Sequence, residues 1–360
     1  ILDLLESGVH PVVPSQGSVG ASGDLAPLAH LALVLVGEGQ AVVGGRRMSG
    51  GEALAETGFE PLHLEAKEGL ALINGTQASA AVGALGIADA RRLLDAADVI
   101  CGLTLDAMAG TDAAFDPAVH AARPHPGQGV SAARLLDLVE GSEIRESHRE
   151  CGRVQDAYSM RCSPQVHGAG RDALEHAHRV VEIELNSATD NPRVFAEGRL
   201  ISGGNVHGAP SAAVFDYLTA TLTDVASISE RRLARMVDTA LSGLPRFLSP
   251  DAGLNSGFMM VQVSAAALVS ECKTLSHPAS VDSIPTSAGQ EDHVSMSTWA
   301  ARTLARVVQL TQQVLGMEYL AAVQALEFQR PLKTSPALEA AASNLREQVP
   351  RLEADRFLAS

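Results

Sequence analysis

The sequence predicts a mainly α protein, a bundle of long helices carrying small β-hairpins. Aromatic residues are 3% of a chain that is 46% hydrophobic, so the core must come from Leu, Val, Ile and Ala, which suit close helix packing better than a sheet sandwich. Long proline-free stretches repeat apolar residues every three or four positions, well beyond the average helix length. Glycine clusters bracket β-like residues in only two short places.

Taken in order, Gly75 to Met108 is rich in Ala and Leu, with Val82, Leu85, Leu93, Leu94, Val99 and Ile100 near helical spacing, and predicts one long helix or two. A second run starts near Pro210, where Val214, Leu218, Leu222, Val225 and Ile228 recur, and should continue past Arg235. A third, Met296 to Leu326, carries Leu304, Val308, Leu315 and Leu320. Shorter helices are expected from Ser131 to Glu140, Gly168 to Leu185, Gly257 to Thr274 and Ser335 to Gln348. Hairpins are expected within Gly37 to Gly51, around Ala41-Val42-Val43, and within Val194 to Gly204. No repeat, low-complexity tract or Pro/Ser linker divides the chain, so residues 1–360 are read as a single helical domain.

A net charge of -15 repels phosphate backbones and anionic lipid surfaces, so neither nucleic acid nor a membrane is expected as a partner. The longest uncharged apolar run is read as Leu28 to Gly37, about half of the roughly 20 residues a spanning helix needs, and a soluble protein is expected. The chain opens on Ile1 with no secretory signal, and an upstream segment is expected to be missing. Cys101, Cys151, Cys162 and Cys272 match no metal or disulfide spacing and read as buried thiols in a reducing compartment. His176 and His178 point to different helix faces and no His-Glu-x-x-His pattern occurs, so no metal is expected.

Chemistry enters at Gly17-Ser18-Val19-Gly20-Ala21-Ser22-Gly23-Asp24, where a glycine at every third position lets the backbone bend tightly before an Asp suited to start a helix. If the Gly23 amide nitrogen is pressed against the Ala21 carbonyl carbon, ring closure with loss of water gives an imidazolone, and dehydration of Ser22 adds an exocyclic methylene. Gly23 has no side chain to block attack, Ser22 supplies the leaving hydroxyl, and Ala21 keeps the far side small. The alternatives at this level are a phosphate-cradling loop or an ordinary glycine turn.

The run Gly17 to His30 resembles, along its whole length, the signature of the histidine and aromatic amino-acid ammonia-lyase family, and further segments resemble it in the expected order. The resemblance implies an ammonia-lyase/fumarase-like bundle and a 4-methylidene-imidazol-5-one made autocatalytically from Ala21, Ser22 and Gly23, with neither metal nor pyridoxal phosphate. Leu72-Ile73-Asn74-Gly75-Thr76-Gln77 places Asn74 near the electrophile and the substrate's amino-acid end; read alone, Asn74 could as well cap the following helix. Gln155-Asp156-Ala157-Tyr158-Ser159-Met160-Arg161 carries substrate-binding Gln155, catalytic Tyr158, and Arg161 for a two-pronged grip on the substrate carboxylate. Taken alone, Arg161 would be a surface ion pair and Tyr158 a core or rim residue.

Asn186 to Pro192 resembles a structural loop of the family, and Ser202-Gly203-Gly204-Asn205-Val206-His207-Gly208 departs from its histidine members, which carry Phe in place of Val206. In Gln290-Glu291-Asp292-His293 the carboxylate of Glu291 resembles the histidine enzymes, whereas plant phenylalanine enzymes have an amide there. A carboxylate pairs with imidazole and gains nothing from phenyl. The other reading of Glu291 and His293 is a helix-start network.

The implied reaction is ammonia elimination from L-histidine to give urocanate in the cytoplasm, as part of histidine breakdown. The implied assembly is a homotetramer with shared active sites, Tyr158 and Arg161 among the loaned residues, and the tyrosine base on an upstream loop is expected to be missing. The competing readings are a tyrosine or phenylalanine ammonia-lyase or an aminomutase, and, outside enzymes, an inactive helical scaffold paralogue.

Overall fold

Four long helices dominate the computed structural model, which describes residues 1–358. Among the described residues the longest elements are Gln77–Ala107, Ser163–Leu185, Ala209–Met236 and Ser297–Leu326. Three of them stand where the apolar spacing predicts. The fourth begins earlier than Gly168, because Pro164 sits in the first turn, where its missing N–H costs nothing. For the same reason the helix expected from Ser131 runs from Pro126 to Val139, with Pro at its first position. Met259–Leu275 and Pro336–Gln348 match their predictions within two residues.

The chain forms two compact units, and the division falls inside each of those four helices. The first unit comprises Ile1–Gly86, Ala177–Asp216 and Pro278–Ala305. It holds a three-stranded antiparallel sheet of His10–Pro11, Gln40–Val43 and Arg46–Ser49. Val43 pairs with Arg46 across Gly44 and Gly45, both at positive φ, as a tight two-residue turn requires. Ala41 and Val43 face inward and cluster with Val34, Leu35, Ala53 and Leu54. Ser49 and Glu52 form a capping box on Gly50–Thr57. The hairpin expected within Val194 to Gly204 is the pair Arg193–Val194 and Leu200–Ile201.

The second unit comprises Ile87–His176, Tyr217–His277 and the chain from Arg306 onward. Leu103, Leu105, Phe115, Leu135, Leu233 and Val314 lie in its apolar core. An ion pair is enclosed there too. Arg232 donates to both carboxylate oxygens of Glu318, 2.9 Å from Nη2, and neither side chain is exposed. Thr104 donates to the same carboxylate at 2.7 Å, and Arg232 also reaches Ser163 Oγ at 3.2 Å and the Ser159 carbonyl at 3.3 Å.

Two expectations are corrected. Of the four cysteines read as buried thiols, Cys101 and Cys272 are buried, whereas Cys162 is half-buried and Cys151 exposed. The segment Glu68–Ala107 is long and apolar enough to cross a membrane by length and composition, whereas the sequence reading took Leu28 to Gly37 as the longest run. Its C-terminal half lies in the core, where Leu93, Leu94, Ala97, Leu103 and Leu105 are buried in the protein, whereas Leu70 and Leu85 nearer its start are exposed. Its Asp98 is also fully enclosed, which hydrocarbon would not tolerate without partners. Asp98 accepts from His167 Nδ1 at 2.8 Å and from Arg171 at 2.6 Å, with Arg134 at 3.1 Å.

Burial pushes the His167 pKa down, and its Nε2 is buried without a partner, so a proton there would be an unsatisfied donor. Burial alone would raise the Asp98 carboxyl, but the hydrogen bond from His167 and the charge of Arg171 hold it below its ordinary value. In the unfolded chain His167 binds a proton below about pH 6.5 and the folded chain resists it, so stability is lost as pH falls through that value. Asp98 adds a further loss at lower pH, as the carboxylate protonates. The urea midpoint is therefore expected to drop between pH 7 and pH 5, and His167→Gln to flatten that drop; an equal drop in the variant would assign it elsewhere.

Candidate active site

The glycine-rich segment folds as a chain of left-handed turns, with Gly17, Gly20, Ser22 and Gly23 all at positive φ. Ser22, at φ 49, is the costly one, since a residue with a Cβ gives up about 1–3 kcal/mol in a sparsely populated backbone region. Gly23 is required sterically as well as conformationally: a Cβ there would overlap the Gly75 carbonyl. The Asp24 N–H donates to that same carbonyl at 2.6 Å.

Asp24 precedes the Leu25–Leu35 helix as predicted, but its side chain does not cap it. The buried carboxylate instead accepts from Ser18 Oγ at 3.0 Å, from Thr298 Oγ1, and from the Ser79 N–H at 2.7 Å. Ser18 in turn accepts from the Gly20 N–H at 3.1 Å, and the Met296 N–H donates to the Val19 carbonyl at 2.9 Å.

The Ser22 hydroxyl donates to Glu291, which lies 269 positions away in sequence. Glu291 also accepts from Thr286 Oγ1 at 2.9 Å and from Ser287 Oγ. The hydrogen bonds from Ser22 and Ser287 hold the Glu291 carboxyl below the usual carboxylate range against the opposing effect of burial. The helix begins at Ser297, after Met296 turns the chain at φ 55, and the contacts of Glu291 and His293 run to Ser22, Thr286, Ser287 and His207. His293 stacks on His207, with ring centroids 5.7 Å apart, and its carbonyl lies 3.2 Å from His207 Nε2. Val206 is half-buried in the turn just before His207.

Asn74 ends the Glu68–Ile73 helix, and its side chain does not cap the following one. Its two amide hydrogens go to Asp190 Oδ1 at 3.0 Å and to the Asn191 carbonyl, which leaves Oδ1 as its acceptor. Lys67 anchors Asp190 at 2.7 Å. Burial opposes ionisation of Asp190, but the bonds from Lys67 and Asn74 keep its carboxyl below the ordinary value. The loop read as structural therefore fixes Asn74. Sequence reasoning misses Lys67, Thr286, Ser287 and Thr298, because no local pattern joins them to the triplet, and it gives no role to Ser18 or Asp190 although both lie in segments it singles out.

Gln155, Tyr158 and Arg161 belong to the second unit. Tyr158 opens the short helix Tyr158–Arg161 and is 69% exposed, which excludes a core position. The Arg161 guanidinium carbon sits 4.5 Å over the Tyr158 ring. Among the described residues no carboxylate pairs with Arg161, so the surface ion-pair reading does not hold, and its Nε is buried without a partner. Gln155 is exposed just before the helix.

The sequence profile of the family described as aromatic amino acid lyase matches residues 1–347. Histidine ammonia-lyase from Koribacter versatilis is 56% identical, in an alignment covering 99% of this chain and 72% of that protein. The crystal structure of histidine ammonia-lyase from Trypanosoma cruzi is 43% identical with a TM-score of 0.92, covering 99% of this chain and 68% of that one. Tyrosine aminomutase from Streptomyces globisporus is 40% identical with a TM-score of 0.93, covering 99% and 71%. A turn that admits only glycine beside a strained serine on a carboxylate thus occurs in a chain that belongs to the aromatic amino acid lyase family.

Proposed function

We propose that this chain is a carbon–nitrogen lyase that eliminates ammonia from L-histidine to give urocanate, using a methylidene-imidazolone formed from its own Ala21, Ser22 and Gly23. The observation that carries the reading is the charged Glu291 carboxylate held on the Ser22 side chain. The 56% identity to a histidine ammonia-lyase supports the substrate.

The residues present fit the prosthetic group. Gly23 has no room for a side chain, Ser22 already occupies a bent left-handed conformation, and Ala21 is small. When present, the group supplies an electrophilic carbon that converts the substrate's amine into a leaving group.

The protein's own side chains select and orient the substrate. Glu291 accepts from the imidazole N–H, whereas a phenyl ring would offer that carboxylate no donor. Asn74, with both amide hydrogens committed, offers only an acceptor and so suits the ammonium end. Arg161 takes the carboxylate in a two-pronged pair, with Gln155 beside it and Tyr158 as a catalytic group whose ring steadies the guanidinium. The active unit is a homotetramer with shared sites, working in the cytoplasm in histidine breakdown.

Glu291→Gln tests the substrate assignment. Loss of a charged hydrogen bond should lower kcat/KM for histidine about 100-fold, or about 2.7 kcal/mol, without lowering turnover of phenylalanine. An unchanged kcat/KM for histidine would refute it. A second reading, aminomutase, draws on the tyrosine aminomutase likeness. Product analysis separates the two: a β-amino acid marks the mutase, and urocanate with free ammonia marks the lyase.

A further inference from the structure

Both flanks of the Ala21–Gly23 triplet are gripped by one short segment at the start of the Ser297–Leu326 helix. Upstream, the Met296 N–H holds the Val19 carbonyl at 2.9 Å. Downstream, Thr298 Oγ1 donates to Asp24 Oδ1, the oxygen that also receives Ser18. Ser18 passes the grip back upstream by accepting from the Gly20 N–H at 3.1 Å. Thr298 is buried, Oγ1 lies 2.9 Å from Ser18 Oγ, and Asp24 is fully enclosed. Ser297 reinforces the same end by donating to Ser79 Oγ at 3.3 Å, and the Ser79 N–H holds the other Asp24 oxygen.

We propose that Thr298 is a positioning residue for backbone condensation: its hydroxyl, through Asp24 and Ser18, holds the two flanks so that the Gly23 nitrogen and the Ala21 carbonyl carbon are driven together. The inference rests on the reading of the triplet as a prosthetic-group precursor. In the condensation a bond forms between the Gly23 nitrogen and the Ala21 carbonyl carbon. The Ala21 oxygen leaves as water with the Gly23 and Ser22 amide hydrogens, giving a carbon–nitrogen double bond to Ser22. The Ser22 Cβ–O bond then breaks, and its hydroxyl departs as a second water with the Ser22 Cα hydrogen. No oxidant or co-reactant is needed.

Thr298 touches no reacting atom, so its role is one of geometry. A hydrogen bond from a buried hydroxyl to a carboxylate is short and strong, and removing the hydroxyl leaves one oxygen of an enclosed carboxylate with a single donor. The flanks then relax, and the condensation loses its entropic advantage.

The test is the intact mass of freshly expressed protein, made from its complete natural gene and followed over time, for wild type, Thr298→Val, Thr298→Ser and Ser18→Ala. Melting is followed in parallel by circular dichroism. We expect wild type and Thr298→Ser to become lighter by two waters at similar rates. Thr298→Val should do so about tenfold more slowly, a barrier rise of about 1.4 kcal/mol, with the fold retained. Ser18→Ala, at a half-buried position, should slow the same loss and keeps the idea testable if Thr298→Val fails to fold. Thr298→Val maturing at the wild-type rate, or Thr298→Ser as slow as Thr298→Val, would overturn the role of the hydroxyl while leaving the prosthetic group intact. A wild type that never loses the waters would overturn the prosthetic-group reading itself.

Discussion

Ser22→Ala is expected to fold normally and to lose ammonia release from histidine by at least about 10³-fold, or about 4 kcal/mol of barrier. Alanine accepts the same left-handed backbone at a similar conformational cost, so the strain at φ 49 is not the variable. Glu291 loses the Ser22 donor but keeps Thr286 and Ser287, so the loop around it stays ordered. What disappears is the leaving hydroxyl, and with it the second dehydration. Steady-state urocanate formation and intact mass read the two consequences together. Activity within tenfold of wild type would mean that the triplet is an ordinary turn.

The largest loss of stability is expected from Arg232→Met. Methionine fills the space of the arginine stem but leaves the Glu318 carboxylate enclosed, with Thr104 as its remaining donor. Breaking a buried pair from one side costs about 3–5 kcal/mol, a large share of the roughly 5–15 kcal/mol that holds a domain folded. Burial alone would lower the Arg232 pKa, yet the Glu318 charge raises it, so the guanidinium stays charged. Arg232→Met with Glu318→Leu should recover most of the loss, because a matched apolar pair removes both buried charges. Urea denaturation at pH 7 measures both. A single-variant loss below about 1 kcal/mol would place the pair among surface bridges in energetic terms. The contact from Arg232 to the Ser159 carbonyl also anchors the Tyr158–Arg161 turn, so KM for histidine should rise in the single variant.

The long helices are legible because a helix needs only local regularity: Ala-rich, proline-free sequence with apolar residues every three or four positions. Their starts are less legible, since Pro126 and Pro164 read as breakers although a first turn accepts them. Gly44-Gly45 announces the Gln40–Ser49 hairpin, but the two-residue strand His10–Pro11 that joins it carries no signal of its own. The sequence reading starts its long helix at Gly75 and so misses the full apolar length of Glu68–Ala107, which Asn74, Thr76 and Gln77 interrupt. The triplet and Glu291 were singled out by resemblance, and their juxtaposition needed the fold, since the polar contacts span most of the chain. Asp24 shows the limit most clearly: its type and position say helix cap, whereas its carboxylate serves Ser18, Ser79 and Thr298.

The clamp on the triplet is also a clock. Protein synthesis delivers Ala21, Ser22 and Gly23 long before Met296 and Thr298, which grip their flanks, emerge from the ribosome. The first unit likewise draws on three separated segments and cannot complete itself until Pro278–Ala305 has been made. A growing chain therefore carries an inert serine past every nucleophile it meets on the ribosome and among chaperones. On the proposed reading of the triplet, reactivity arrives only with the folded state, after the last residues of the clamp have been made.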